Sequence, residues 1–118
     1  MKYYFLMVFF LVYVVGMSQR STKLITEFSQ NDIKKGILVD VRTPEEYADG
    51  HLNNALNINW LDDNFSHHFE SMSKDRTIYV YCKKGGRSAK AQEKLISLGF
   101  TNVINLEGGY DAWLGVKD

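Results

Sequence analysis

The sequence predicts an α/β domain in which short parallel strands alternate with helices. Three observations carry that expectation. Apolar, largely β-branched runs recur at residues 37–41, 55–58, 77–81 and 103–105, with helix-type segments between them. The run at 37–41, Ile-Leu-Val-Asp-Val, is mostly apolar and β-branched, which suits a strand covered on both faces. The chain has 118 residues, enough for one domain and not two.

Taken in order, residues 22–35 read as partly helical. Ile25, Phe28 and Ile33 are the inward positions and Gly36 is the stop. Residues 37–41 form the first strand. Thr43-Pro44-Glu45-Glu46 is a helix start: Thr43 caps, Pro44 fits the first helical position, and Glu46 closes a capping box. Asp49-Gly50 keeps that helix short. Residues 55–58 are a second strand. Residues 61–72 read as a helix with Leu61, Phe65, Phe69 and Met72 on one stripe. Strand 77–81 precedes a loop and a helix over 88–98, with Gly99 beyond its end. Residues 103–105 are the last strand, and 110–114 form a final helical turn.

The N-terminal segment stands apart. Met1-Lys2 is a short positive start, residues 3–15 are wholly apolar or aromatic, and Gly16-Met17-Ser18 offers small residues at a cleavage site. This is the layout of a secretory signal peptide over residues 1–18, with the domain over 19–118. A spanning helix needs about 20 apolar residues, and this run is shorter. The expectation is export, to a bacterial periplasm; the alternative is an uncleaved membrane anchor over residues 3–17. Formal net charge is zero, so bulk electrostatics offers nucleic acid nothing.

Cys82 is the only cysteine, which excludes an internal disulfide. It opens the run Cys82-Lys83-Lys84-Gly85-Gly86-Arg87-Ser88 between a strand and a helix. A strand-to-helix turn faces a sulfur toward the free N–H groups of the helix start. Lys83, Lys84 and Arg87 add cations, and no acid appears over residues 77–92. Amides, dipole and cations all favour the thiolate, which is the nucleophilic form. The bland alternative, a buried inert cysteine, does not explain the attached glycines and cations.

Four segments together resemble the rhodanese-like sulfurtransferases: residues 40–47, reading Asp-Val-Arg-Thr-Pro-Glu-Glu-Tyr; Gly50-His51-Leu52 with Ala55 and Asn57-Ile58; the loop from Cys82 to Ser88; and residues 106–110, Leu-Glu-Gly-Gly-Tyr, with Ala112-Trp113. Their order and spacing match a single-domain rhodanese from about residue 22 onward, and the small exported bacterial members most. The resemblance implies a three-layer domain with a central parallel sheet of about five short strands flanked by helices. It implies transfer of sulfane sulfur from a small anionic donor such as thiosulfate, through a Cys82 persulfide, to a thiophilic acceptor: cyanide, a small thiol or a thiol protein. Matched to the family loop, Cys82 is the nucleophile, Lys83, Lys84, Gly85, Gly86 and Arg87 form the cradle, and Ser88 starts the helix behind it. Arg87 is the candidate for the donor's sulfonate end, since its fork matches oxyanion geometry; it could instead pin the loop. No metal or organic cofactor is implied. One departure is Asn54, where the family usually has glycine; asparagine tolerates left-handed backbone.

Around the loop, Asp40 and Arg42 brace loops near the site, and Arg42 is also a candidate for the pocket wall. His51 satisfies backbone groups at a turn. His67-His68 tempts a metal reading, but adjacent helical histidines point apart and nothing completes a site at ligand spacing. Two other function classes compete. Related phosphatases and arsenate reductases use a loop one residue longer; four residues between Cys82 and Arg87 favour sulfur transfer. A non-catalytic binding module is the other, and such modules usually lack the cysteine retained here; a sulfur carrier that docks a protein partner lies between the two.

Overall fold

The computed structural model describes residues 21–117. The leader or anchor expected over residues 1–18 lies outside that range. Among the described residues, no helix is long and apolar enough to cross a membrane. Five strands, β1 (Ser21–Leu24), β2 (Gly36–Asp40), β3 (Ala55–Asn57), β4 (Thr77–Tyr81) and β5 (Val103–Glu107), form one sheet in the order β1-β5-β4-β2-β3. Every pair is parallel. Three α-helices cover the sheet: α1 (Pro44–Asp49), α2 (Gly86–Ser97) and α3 (Gly109–Val116).

Side-chain alternation along the strands divides the core into two layers. Val39, Ile78, Val80 and Val103 face Ala91 and Leu95 of α2, with Phe65, Phe69 and Phe100 closing that side. Leu38, Tyr81 and Leu106 face Ile25 and Leu52, with Tyr47, Tyr110 and Trp113 packed at the margin. This is the α/β three-layer architecture with a central parallel sheet of five short strands.

Several elements differ from their sequence reading. The expected partial helix over 22–35 begins instead as β1, whose parallel register runs from Ser21↔Ile104 to Leu24↔Glu107. Two 3₁₀ turns follow, Ile25–Glu27 and Gln30–Lys35. The edge of β5 satisfies the backbone of β1, and the Gln92 amide ties both strands, donating to Ser21 O (2.6 Å) and Val103 O (2.9 Å). The inward positions hold: Ile25 is buried, and Phe28 and Ile33 pack beside it. The helix expected over 61–72 shrinks to a 3₁₀ turn at Phe65–Phe69. Asn59 and Asp62 side chains accept from the N–H groups of Leu61 (3.0 Å) and Asn64 (2.9 Å), so local bonds replace helical ones. Phe65 and Phe69 are buried as expected, but Leu61 is 64% exposed.

Gly36 ends the second 3₁₀ turn, as expected of the stop, its N–H donating to Ile33 O. It is extended (φ −155°) and opens β2 against β4. What requires glycine there is proximity: an added Cβ would run into the Thr77 carbonyl and lie 2.9 Å from Thr77 Cβ. At Asn54 the departure from glycine leaves the backbone left-handed, with φ +68°. Gly36→Ala is therefore expected to destabilise the fold by about 1–3 kcal/mol through overpacking against β4, measured as a lower urea midpoint.

Candidate active site

The site lies beyond the carboxyl ends of β2 and β4, where parallel α/β sheets place their ligands. Its floor is a buried polar knot. Asp40, at the end of β2, is fully buried. Its Oδ1 accepts from Arg42 N (2.9 Å) and Nε (3.0 Å), and its Oδ2 accepts from Arg42 Nη2 (2.7 Å) and the Tyr81 hydroxyl (2.8 Å). Arg42 Nη2 also donates to Gly50 O at 2.7 Å. The Tyr81 hydroxyl accepts from Leu52 N at 3.1 Å. Burial pushes the Arg42 guanidinium toward losing its proton, but the Asp40 carboxylate outweighs this and raises its pKa. Burial and the Asp40 charge both push the Tyr81 hydroxyl up, so it stays a donor. Arg42 lies 4.2 Å below the centroid of the Tyr110 ring, linking the knot to α3.

Cys82 follows β4 directly and is buried, with 1% of its surface exposed. Gly85 N donates to its Sγ at 3.0 Å, and the Ser88 hydroxyl approaches at 3.4 Å. Burial pushes the thiol pKa up. The Ser88 hydroxyl and the N–H groups of Ser88, Gly85 and Lys84 more than offset that, and the net shift is downward. A sulfur buried among donors and turned toward a helix start sits in an environment that favours the thiolate relative to the same thiol in water.

The loop is anchored from both sides. Behind its first residues, Tyr110 N donates to Cys82 O (2.8 Å) and Asp111 N to Lys83 O (3.0 Å), so the first turn of α3 takes the loop carbonyls. This needs Gly109, with φ +64°: a Cβ there would sit 2.5 Å from Lys83 O and 2.6 Å from Cys82 O. At the far end, Arg87 Nη1 donates to Glu46 Oε1 (2.7 Å) and Nη2 to Glu46 Oε2 (3.0 Å). Glu46 also closes the expected capping box, accepting from the Thr43 N–H (3.1 Å) and hydroxyl (3.0 Å). Its carboxyl is held down to about 2, first by Arg87.

The expected site residues thus converge on one place, with some altered roles. Lys83 and Lys84, the two residues after Cys82, are exposed. Gly85 and Gly86 do not relieve a clash, since an added Cβ would meet nothing within 4 Å at either; Gly85 is needed for its φ of +126°, and Gly86 already begins α2. Ser88 touches the sulfur itself. Arg42 directs most of its fork to Asp40 and Gly50, and Arg87 directs its fork to Glu46. A cleft of about 210 Å³ beside the loop is lined by Arg42, Glu46, Asp49, Lys83, Tyr110 and Asp111. His51 Nδ1 donates to Tyr47 O at 2.8 Å, as a turn residue. His67 pairs with Glu70 (3.2 Å) and His68 with Asp62 (3.7 Å), and no group of three or more metal-ligating side chains occurs among the described residues. The pairing of Glu46 with Arg87 and the roles of Gly109 and the first turn of α3 escaped the sequence reading; only the Gly108-Gly109 pair in the fourth motif hinted at a close approach.

Two outcomes follow from this geometry. Ser88→Ala removes a donor to Sγ, so the thiol pKa is expected to rise; the pH dependence of iodoacetamide alkylation of Cys82 reads it, and an unmoved profile would exclude the contact. Glu46, depressed from 4.5 to about 2, contributes stability that is complete above 4.5 and is lost as the pH falls toward 2. Because both side chains are about a quarter to a third exposed (27% and 29%), the contribution is modest, about 1 kcal/mol or less. The stability difference between wild type and Glu46→Gln should shrink across that acid window in denaturant titrations.

Comparison with known proteins agrees with this geometry. Residues 22–115 match the rhodanese-like domain family. The chain is 38% identical over 88 residues to "Thiosulfate sulfurtransferase 16, chloroplastic" of Arabidopsis thaliana, covering 64% of this chain and 71% of that protein. It is 40% identical over 87 residues to "Adenylyltransferase and sulfurtransferase UBA4" of Candida albicans, covering 68% of this chain but only 20% of that longer protein. Its fold superposes on the crystal structure of a rhodanese-like domain protein from Staphylococcus aureus with a TM-score of 0.68 and 34% identity, covering 79% of this chain and 90% of that one. With its parallel five-stranded sheet and a cysteine loop beyond β4, the chain belongs to the rhodanese-like domain family, whose members include sulfurtransferases.

Proposed function

We propose that the protein is a thiosulfate sulfurtransferase-type enzyme working through a persulfide on Cys82. The observation that carries this reading is the donor set around Sγ: N–H groups of the loop and the Ser88 hydroxyl, directed at a buried sulfur whose pKa is lowered. Such a pocket favours an anionic sulfur, and it would favour the terminal sulfur of a persulfide on the same grounds. In the first half-reaction the Cys82 thiolate attacks the outer sulfur of thiosulfate. The new S–S bond forms as the donor's S–S bond breaks, and sulfite leaves with the bonding pair. In the second half-reaction a thiophilic acceptor attacks the terminal sulfur and the Cys82 thiolate is released.

Within this reading Lys83 and Lys84 draw the anionic donor toward the loop, since they are exposed and unopposed by local acids in sequence. Gly85, Gly86 and Ser88 complete the cradle, Arg87 is held at its rim by Glu46, and Arg42 forms the wall of the adjoining cleft. The acceptor is cyanide, a small thiol or a thiol protein; the named relatives support sulfur transfer and leave the acceptor open. Export to a bacterial periplasm belongs to the proposal on sequence grounds, with membrane attachment through residues 3–17 as its alternative. The four-residue spacing from Cys82 to Arg87 argues against the longer-loop phosphatase and arsenate reductase chemistries. Retention of the cysteine argues against a purely binding module.

The test is an intact mass taken after incubation with thiosulfate and removal of the excess. A gain of one sulfur atom is expected in the wild type and none in Cys82→Ala. Absence of the gain from a reduced, folded wild type would sink the persulfide reading, and loading without turnover on cyanide or small thiols would redirect it to a sulfur carrier.

A further inference from the structure

Two arginines stand at this site, and a carboxylate closes the fork of each. Arg42 is buried and bound along its Nε and Nη2 edge to Asp40. Arg87 lies at the rim, with both Nη atoms on the two oxygens of Glu46. Glu46 is itself fixed by the N–H and hydroxyl of Thr43, so it cannot swing away without giving up the cap of α1. A guanidinium recognises a tetrahedral oxyanion with the same paired N–H geometry it uses on a carboxylate. The loop therefore contains an arginine of the right type for phosphate or sulfate, while that arginine is occupied. The Glu46 carboxylate first, and the Cys82 sulfur to a lesser degree, favour the charged form of Arg87.

We propose that Glu46 is a specificity-determining residue that masks Arg87. It positions the guanidinium against α1 and cancels its charge, so that anions near Cys82 are recognised by loop amides and the two lysines and not by a guanidinium clamp. The consequence is weak holding of tetrahedral oxyanions: phosphate, like the sulfonate end of thiosulfate, meets the loop without the guanidinium clamp that would let phosphate occupy it and block the thiol. The donor aspect rests on the sulfur-transfer reading above; the exclusion of oxyanions does not.

The experiment uses protection of Cys82 from iodoacetamide by inorganic phosphate, measured in wild type, Glu46→Gln, Arg87→Met and the double variant. Glutamine can also close a capping box, so Glu46→Gln should keep α1, checked by circular dichroism; Glu46→Ala, which retains a strong helix former, takes its place should the glutamine variant not fold. With the mask removed, the half-protecting phosphate concentration should fall about tenfold, the scale of one charge-assisted hydrogen bond. The effect should weaken with ionic strength and vanish when Arg87 is Met. Unchanged protection in the folded glutamine or alanine variant overturns the proposal. So does an equal gain in the double variant over Arg87→Met, because Glu46 would then act by its own charge. A merely structural role for Glu46 predicts weaker or unaltered phosphate protection, opposite to the masking result. Thiosulfate loading followed in parallel should also quicken in Glu46→Gln. Strengthened phosphate protection with no loading in any variant would uphold the mask and reject the sulfur-transfer reading.

Discussion

The buried carboxylate of Asp40 is the interaction on which the site depends. A fully buried charge is tolerated only when paired and hydrogen-bonded, and Asp40 meets that demand by gathering groups from distant parts of the chain. It takes the backbone and side chain of Arg42 and the hydroxyl of Tyr81. Through Arg42 it reaches the end of α1 at Gly50 and the ring of Tyr110 on α3. Gly50 permits this closeness, because an added Cβ would run into the Tyr110 hydroxyl. Removing one partner of such a pair typically costs about 3–5 kcal/mol, since the other is left buried and uncompensated. Tyr81 immediately precedes Cys82, so the knot that satisfies Asp40 also sets where the thiol begins.

Above the knot, the thiol is governed by two opposed effects. Burial disfavours the thiolate and is the larger single influence on Cys82. Several donors acting together reverse it: a hydroxyl and successive backbone N–H groups, which the loop presents because its carbonyls are engaged elsewhere. The first turn of α3 accepts that task through Tyr110 N and Asp111 N. Gly109 is thereby a part of the thiol's environment without touching the sulfur, since any larger residue would push the loop carbonyls away. Fixed backbone dipoles of this kind need no reorganisation as charge moves onto a sulfur.

Charge at the rim is arranged differently. Lys83 and Lys84 stay exposed, whereas Arg42 and Arg87 are neutralised by carboxylates. Glu46 serves a helix cap and an ion pair with the same two oxygens, coupling the start of α1 to the start of α2. The unpaired cations beside the thiol are therefore exposed lysines, and the groups fixed on the sulfur are backbone amides and the Ser88 hydroxyl.

Much of this was readable from residues in order. The β-branched runs marked the parallel strands, Thr43-Pro44-Glu45-Glu46 marked the cap of α1, and Cys82 to Ser88 marked the loop, because each depends on neighbours within a turn or a strand. Other features depend on partners far along the chain. Strand β1 exists because the edge of β5 was open to its backbone, a fact no window over residues 22–35 contains. The helix expected over 61–72 yielded to Asn59 and Asp62, whose side chains compete locally for N–H groups in a way apolar spacing does not reveal. The pairing of Glu46 with Arg87, 41 positions apart, and the seating of the loop on Gly109 arise only when β2 and β4 lie side by side. The sequence by itself determined the candidate thiol and the strand-to-helix turn that carries it, since these follow from local propensity and chemistry. Only the tertiary structure decided which cations near the thiol stay free, because that is settled by where the parallel sheet delivers the carboxylates of Asp40 and Glu46.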